Sequence, residues 1–154
     1  MQLKPWHCVC VSLLFAGSAT LAQDQKSDPE FIHLQQTEIQ FEIVPDIPGV
    51  SVAILAGDPG APGIYVIRAR FSPGVKTAPH YHDQDRHVTV VSGVWAFGMD
   101  DSGKCENAIP LQAGAYAMHP KGAVHFDGSC NGEVVEVQII GHGPVKTHWV
   151  KQDE

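Results

Sequence analysis

The sequence predicts an all-β sandwich or barrel, on three observations. Fifteen Gly and eleven Pro are scattered between short runs rich in Val and Ile, the punctuation expected of many short strands joined by turns. No long segment carries apolar residues at the 3.6-residue spacing of an amphipathic helix. Residues 64–71 alternate instead, with Tyr65, Ile67, Ala69 and Phe71 on one face and Ile64, Val66, Arg68 and Arg70 on the other, the period of two of a half-buried strand. At 154 residues the chain has room for one domain with a full core and no second one.

From the start, Lys4 supplies a weakly positive n-region, the run from Cys8 to Ala22 is uncharged and mostly apolar, and Thr20-Leu21-Ala22 offers a small-residue cleavage site. Residues 1–22 therefore read as a signal peptide cleaved after Ala22. The run is interrupted by Ser, Gly and Thr and falls short of the ~20 apolar residues of a spanning helix, so no stable membrane insertion is expected after processing. Residues 23–38 form a polar lead-in, 39–150 a single domain and 151–154 a tail. Strand-like runs cover 39–44, 50–55, 64–71, 88–91, 94–97 and 133–140, with turns at Gly57-Asp58-Pro59-Gly60 and Asp100-Asp101-Ser102-Gly103. Arg68 and Arg70 are expected on a solvated outer face. Trp95, Phe97 and Met99 share a face, as do Tyr116 and Met118. Both sets can supply apolar lining to a barrel, which makes Trp95 and Tyr116 candidate substrate-binding residues.

Export places the mature chain in a periplasmic or secreted setting. Cys8 and Cys10 leave with the signal, and Cys105 and Cys130 remain. Two thiols in an oxidising compartment invite one disulfide, provided their Cα atoms come within ~7 Å. The formal charge is −7, and losing residues 1–22 removes Lys4 and no acid. An acidic chain without a basic run or an aromatic stripe interleaved with Lys or Arg is a poor ligand for polyanions, so no nucleic-acid role is expected.

The chemistry is expected at histidines. His80 and His82 flank Tyr81, and His125 follows Pro120, Lys121 and Gly122. In a strand, residues two apart point to the same face with Cα atoms about 6.6 Å apart, so two imidazoles can lean together. If the segment carrying His125 pairs beside them, a third nitrogen arrives within reach of one divalent ion, at ligand distances of about 2.0 to 2.1 Å for zinc. Imidazole suits Fe, Mn, Zn, Ni and Cu to differing degrees, so ligand type leaves the ion open. A lone His-x-His is otherwise a solvent-facing pair near a turn.

At these residues the chain resembles the cupin superfamily, in particular small single-domain cupins. The first cupin motif runs Gly, five residues, His-x-His, three or four residues, Glu, six residues, Gly, and here Gly74, His80, His82 and Gly93 match it. The second runs Gly, five residues, Pro-x-Gly, two residues, His, three residues, Asn, and here Gly114, Pro120, Gly122 and His125 fall at the expected intervals. The resemblance covers residues 39–150. It implies an antiparallel double-stranded β-helix, or jelly-roll barrel, with inward histidines in its mouth, a small-molecule ligand or substrate, and a homodimer.

Two positions depart from the pattern: Arg86 stands where the metal-binding Glu is expected, and Ser129 where Asn is expected. Arginine has no lone pair to offer a metal. Three arrangements follow. The site is a neutral three-histidine one, similar in ligand set to cupin-like thiol dioxygenases; or a one-residue bulge swings His87 inward as a fourth ligand; or the metal has been lost. Beside a divalent ion Arg86 needs an anionic group between them, for which Asp83 and Asp85 are the nearest acids, or it binds a substrate carboxylate in a bidentate fork beside the metal; the plain alternative is an exposed Arg–Asp pair. Gln138 is a further pocket candidate if it faces inward, with Glu136 sharing its parity, and His119 is a spare ligand or a partner of one. Two functions stand side by side: a metal-dependent, dioxygenase-type enzyme, or a noncatalytic small-ligand binding or sensing module.

Overall fold

The computed structural model describes residues 31–151. The segment expected to be a signal peptide, with Cys8 and Cys10, the first half of the polar lead-in and the last residues of the tail lie outside the described residues. No helix among the described residues is long and apolar enough to cross a membrane.

The described residues form eleven strands: β1 (Glu42–Ile43), β2 (Val50–Ala56), β3 (Gly63–Phe71), β4 (His80–His82), β5 (Arg86–Ser92), β6 (Val94–Gly98), β7 (Ile109–Gln112), β8 (Tyr116–His119), β9 (Phe126–Gly128), β10 (Val135–Gly143) and β11 (Thr147–Trp149). Short 3-10 turns sit at Gln36–Glu38 and Cys105–Asn107. All pairings are antiparallel, in sheets ordered β1-β2-β3-β10-β5-β8, β7-β6-β9 and β11-β4. This is the jelly-roll arrangement the sequence predicts.

The core forms where alternation predicts it. Tyr65, Ile67, Ala69 and Phe71 of β3 pack with Val88 and Val90 of β5, Trp95 of β6, Ala117 of β8 and Val135, Val137 and Ile139 of β10. Gly93 turns the chain between β5 and β6 at a positive φ of 76°, which glycine adopts without steric cost. Gly98 is needed for space, because a Cβ there would overlap the edge of the ring of fully buried Phe126.

The outer face differs from the solvated surface expected for Arg68 and Arg70. Both arginines converge on Glu136 across the β3–β10 pairing, Arg68 donating to Oε1 at 2.9 Å and Arg70 to Oε2 at 2.9 and 3.2 Å. Glu136 is buried beneath them, and the Arg70 guanidinium lies 3.8 Å over the Phe41 ring. The carboxylate is stabilised by two charge-assisted partners. Its place on a strand 66 residues away in sequence hides the pairing from local reading.

Cys105 and Cys130 form a disulfide, with Cα atoms 5.8 Å apart.

Candidate metal centre

Backbone pairing carries the third histidine to the first two. His80 and His125 form an antiparallel bridge and exchange both N–H to O=C hydrogen bonds at 2.8 Å. The N–H of Gly122 donates to the His82 carbonyl at 2.8 Å. On the opposite edge, β11 pairs with β4, Thr147 against His82 and Trp149 against His80. His80 and His82 thus share the inward face of a short strand held on both sides. Ser129, in the position of the second-motif Asn, ties the motifs together: its hydroxyl accepts from the Gly74 N–H at 3.2 Å and donates to the Glu133 carbonyl at 2.6 Å.

The three imidazoles converge. Their ring centroids are 4.9 Å apart for His80 and His82, 4.3 Å for His80 and His125, and 5.3 Å for His82 and His125. One ligand nitrogen from each lies within 4.8 Å of the others, and all three residues are buried. Nδ1 of His80 donates to the Ala78 carbonyl at 2.8 Å, and Nδ1 of His125 to the Ala123 carbonyl at 2.9 Å. These bonds set the tautomer that leaves Nε2 with its lone pair, the arrangement that orients ligating imidazoles. The buried Nε2 of His125 has no hydrogen-bond partner among the described residues. Such an orphan costs about 1–3 kcal/mol, and the donor set fits a divalent first-row metal.

Arg86 shapes the third ligand. It lies half-buried on the inward side of β5, and its Nη1 donates to Nε2 of His82 at 2.6 Å. The lone pair with which His82 would ligate an ion is engaged there by the guanidinium. On the other side of the ring, Nδ1 of His82 is 3.3 Å from the Thr147 hydroxyl. Burial first, then the Arg86 charge and the neighbouring His80 and His125, push the His82 imidazole down to about 2. Burial likewise depresses His119, with His125 and Arg86 adding to it. His125 is lowered by burial, with Asp127 pulling the other way. These three imidazoles are therefore uncharged at neutral pH and present lone pairs rather than protons. Asp83 and Asp85, the acids nearest Arg86 in sequence, accept instead from the backbone N–H groups of Lys146 and Lys121, each at 2.7 Å.

Two cavities reach the cluster. One, of about 200 Å³, is lined by His80, His82, Arg86 and Asp127 together with apolar side chains such as Phe71 and Trp149. The other, of about 250 Å³, meets His119 and His125 behind Phe97, Met99 and Met118. His119 is buried, and neither of its ring nitrogens has a hydrogen-bond partner among the described residues.

Four expected site residues stand elsewhere. His87 is exposed on the outer face, hydrogen-bonded to the Tyr116 hydroxyl at 2.7 Å, in a surface depression with Asp85 and Lys121. The β5–β8 register is regular through Arg86 and His87, so no bulge turns that imidazole inward. Tyr116 is 59% exposed, because Ala117 and His119 hold the inward parity of β8. Gln138 lies on the outer face of β10 between Arg68 and Thr89, since Val137 and Ile139 take the inner positions. Trp95 faces inward but is fully buried against Phe97 and His119 and lines neither cavity.

Sequence reasoning did not single out Asp127, Thr77, Thr147 or Trp149. Asp127 was accessible to it, being two residues after His125 on the same face. Thr147 and Trp149 reach the site only through the long-range pairing of β11 with β4.

No known family profile matches the sequence. Over 95 residues the chain is 33% identical to germin-like protein subfamily 3 member 2 of Arabidopsis thaliana, covering 58% of this chain and 38% of the length of that relative. Among solved structures, the polyketide cyclase RemF of Streptomyces resistomycificus superposes with a TM-score of 0.68 at 20% identity, over 81% of this chain and 89% of that one. A sugar phosphate isomerase from a cupin superfamily of Silicibacter pomeroyi gives 0.61 at 22%, over 79% and 83%. A protein of unknown function with a cupin-like fold from Ralstonia eutropha gives 0.59 at 25%, over 76% and 70%. Strand order, motif spacing and these likenesses together give the described residues a cupin fold.

Proposed function

We propose that the exported, mature chain binds a divalent first-row metal ion through His80, His82 and His125 and catalyses an oxygenase-type reaction on a small, largely apolar molecule bearing an anionic group. The observation that carries the reading is the buried, unpartnered Nε2 of His125, set by backbone pairing against the imidazoles of His80 and His82. When bound, such an ion supplies a Lewis-acid and redox centre with open coordination positions. The protein's part is orientation. Carbonyls of Ala78 and Ala123 hold two imidazoles in their ligating tautomer. Arg86 releases His82 when its guanidinium takes up the substrate anion in a bidentate fork. Phe71, Ile139 and Trp149 supply apolar wall to a cavity of about 200 Å³, which admits a small substrate and limits water. Export is supported by the Cys105–Cys130 disulfide, a bond that persists in oxidising compartments.

The Arg86–His82 hydrogen bond favours a second reading, in which the cavity binds a small anion without turnover. Metal content and oxygen uptake with small thiols and diketones, measured on the wild type and on His80→Ala and His125→Ala, separate the two. Substrate-dependent uptake that falls with metal content in both variants supports the enzyme. Bound metal with no uptake across the panel favours the binding module, and a wild type that takes up no metal refutes the centre.

A further inference from the structure

We propose that His119, His125 and Asp127 form a second cation seat beside the first, taking a divalent first-row metal ion through two imidazoles and one carboxylate. One ligand atom from each of these residues lies within 4.8 Å of the others, as in the three-histidine group. The residues are 2%, 2% and 7% exposed.

Two independent features point to a ligand there. Both ring nitrogens of His119 are buried and lack any hydrogen-bond partner among the described residues, as does Nε2 of His125. The nearest carboxylate oxygen, Oδ2 of Asp127, is 3.9 Å from His119 Nε2, beyond hydrogen-bond reach. Evolved cores seldom leave three such atoms together without a partner. Secondly, the carboxylate is held as a ligand would be. The Thr77 hydroxyl donates to Asp127 Oδ1 at 3.2 Å and accepts from the Asp127 N–H at 3.0 Å. One oxygen is anchored while Oδ2 is left toward the imidazoles, the outer support common to metal-binding carboxylates.

Charge gives the second seat a distinct chemistry. The first is neutral, and its His82 nitrogen is engaged by Arg86. The second brings one negative charge and needs no displacement of that guanidinium. Asp127 thus supplies, from the second motif, the carboxylate that Arg86 replaces in the first. Two imidazoles and one carboxylate with open positions are the ligand set of non-haem iron oxygenases. Nε2 of His125 serves one ion at a time, so the two seats are alternatives for a single ion. This inference rests on the reading of His125 as a ligand, but not on His80 or His82.

The test is Co(II) titration of the full chain, followed by visible absorption and by equivalents retained after desalting, with circular dichroism as the check on folding. The expected result is that the double variant His80→Gln/His82→Gln still retains about one equivalent, with an altered visible spectrum, and that adding Asp127→Asn removes it. Complete loss of Co(II) from the folded double variant overturns the second seat and leaves the three-histidine centre standing. Loss of Co(II) from Asp127→Asn alone supports the second seat and refutes the first. If the double variant does not fold, wild-type Co(II) protein decides by paramagnetic NMR. Strongly contact-shifted ring N–H and C–H resonances of a ligating imidazole at His119, and none at His80 and His82, support the seat, and such resonances at His80 and His82 with none at His119 overturn it.

Discussion

Lowering the pH of the metal-free protein from 7.0 to 5.5 should cost it several kcal/mol, because the fold holds imidazoles uncharged. His82 is buried beside the Arg86 guanidinium and faces His80 and His125, which push it down to about 2. His119 and His125 are also lowered by burial, the latter opposed by the charge of Asp127. In the unfolded chain each takes up a proton near its ordinary value of about 6.5. The unfolded state therefore binds more protons over this interval, and stability must fall as pH falls. The stability is fully present above about 6.5 and drains away from there down toward the folded value, near 2 for His82. Between pH 7.0 and 5.5 each imidazole that stays neutral when folded costs about 1.3 kcal/mol, so His82 and His119 cost about 2.6 kcal/mol and His125 adds up to as much as one of them. Against the roughly 5–15 kcal/mol of an ordinary domain this is a large fraction. Urea unfolding in the presence of a chelator, at both pH values, should show the midpoint moving down with an unchanged slope. Equal midpoints would show that these imidazoles titrate alike in both states, and the burial reasoning would fail.

Glu136→Gln should destabilise by about 2 kcal/mol in urea, the range for a hydrogen bond to a charged group. Arg70 is 39% exposed and can turn to water, which keeps the loss below that of a fully buried pair. The double variant Cys105→Ser/Cys130→Ser should lose about 3.5 kcal/mol by the loop-entropy relation, for a separation of 25 residues, read as a lower thermal midpoint. An undiminished midpoint would mean that the bridge contributes nothing. Gly98→Ala should cost about 3 kcal/mol or abolish soluble expression, because its methyl group would overlap the edge of the ring of Phe126, itself fully buried. Wild-type stability in that variant would show that Phe126 can move aside.

Legibility in the sequence followed the range of the interactions. The alternation of residues 64–71 identified the inner face of β3, because period two is a local property of one strand. Motif spacing located His80, His82 and His125, and the bridge between His80 and His125 explains why forty-odd residues of intervening chain do not keep them apart. Parity alone names two faces and not which is inner. On β8 the bulk of Tyr116 pointed to the wrong one, where Ala117 and His119 face in. The partner of Arg68 and Arg70, the seat of Asp127 against Thr77, and the arrival of β11 beside β4 all depend on pairings between distant segments. Such pairings leave no local pattern to read.

The most direct measurement is the divalent metal retained by the purified protein after loading with Zn(II) and desalting, compared between wild type and His125→Gln. In either proposed seat, Nε2 of His125 is a ligand atom that a bound ion would need. About one equivalent in the wild type, with less than a tenth as much in folded His125→Gln, is the expected result. Equal retention by both proteins, or none by the wild type, would contradict it.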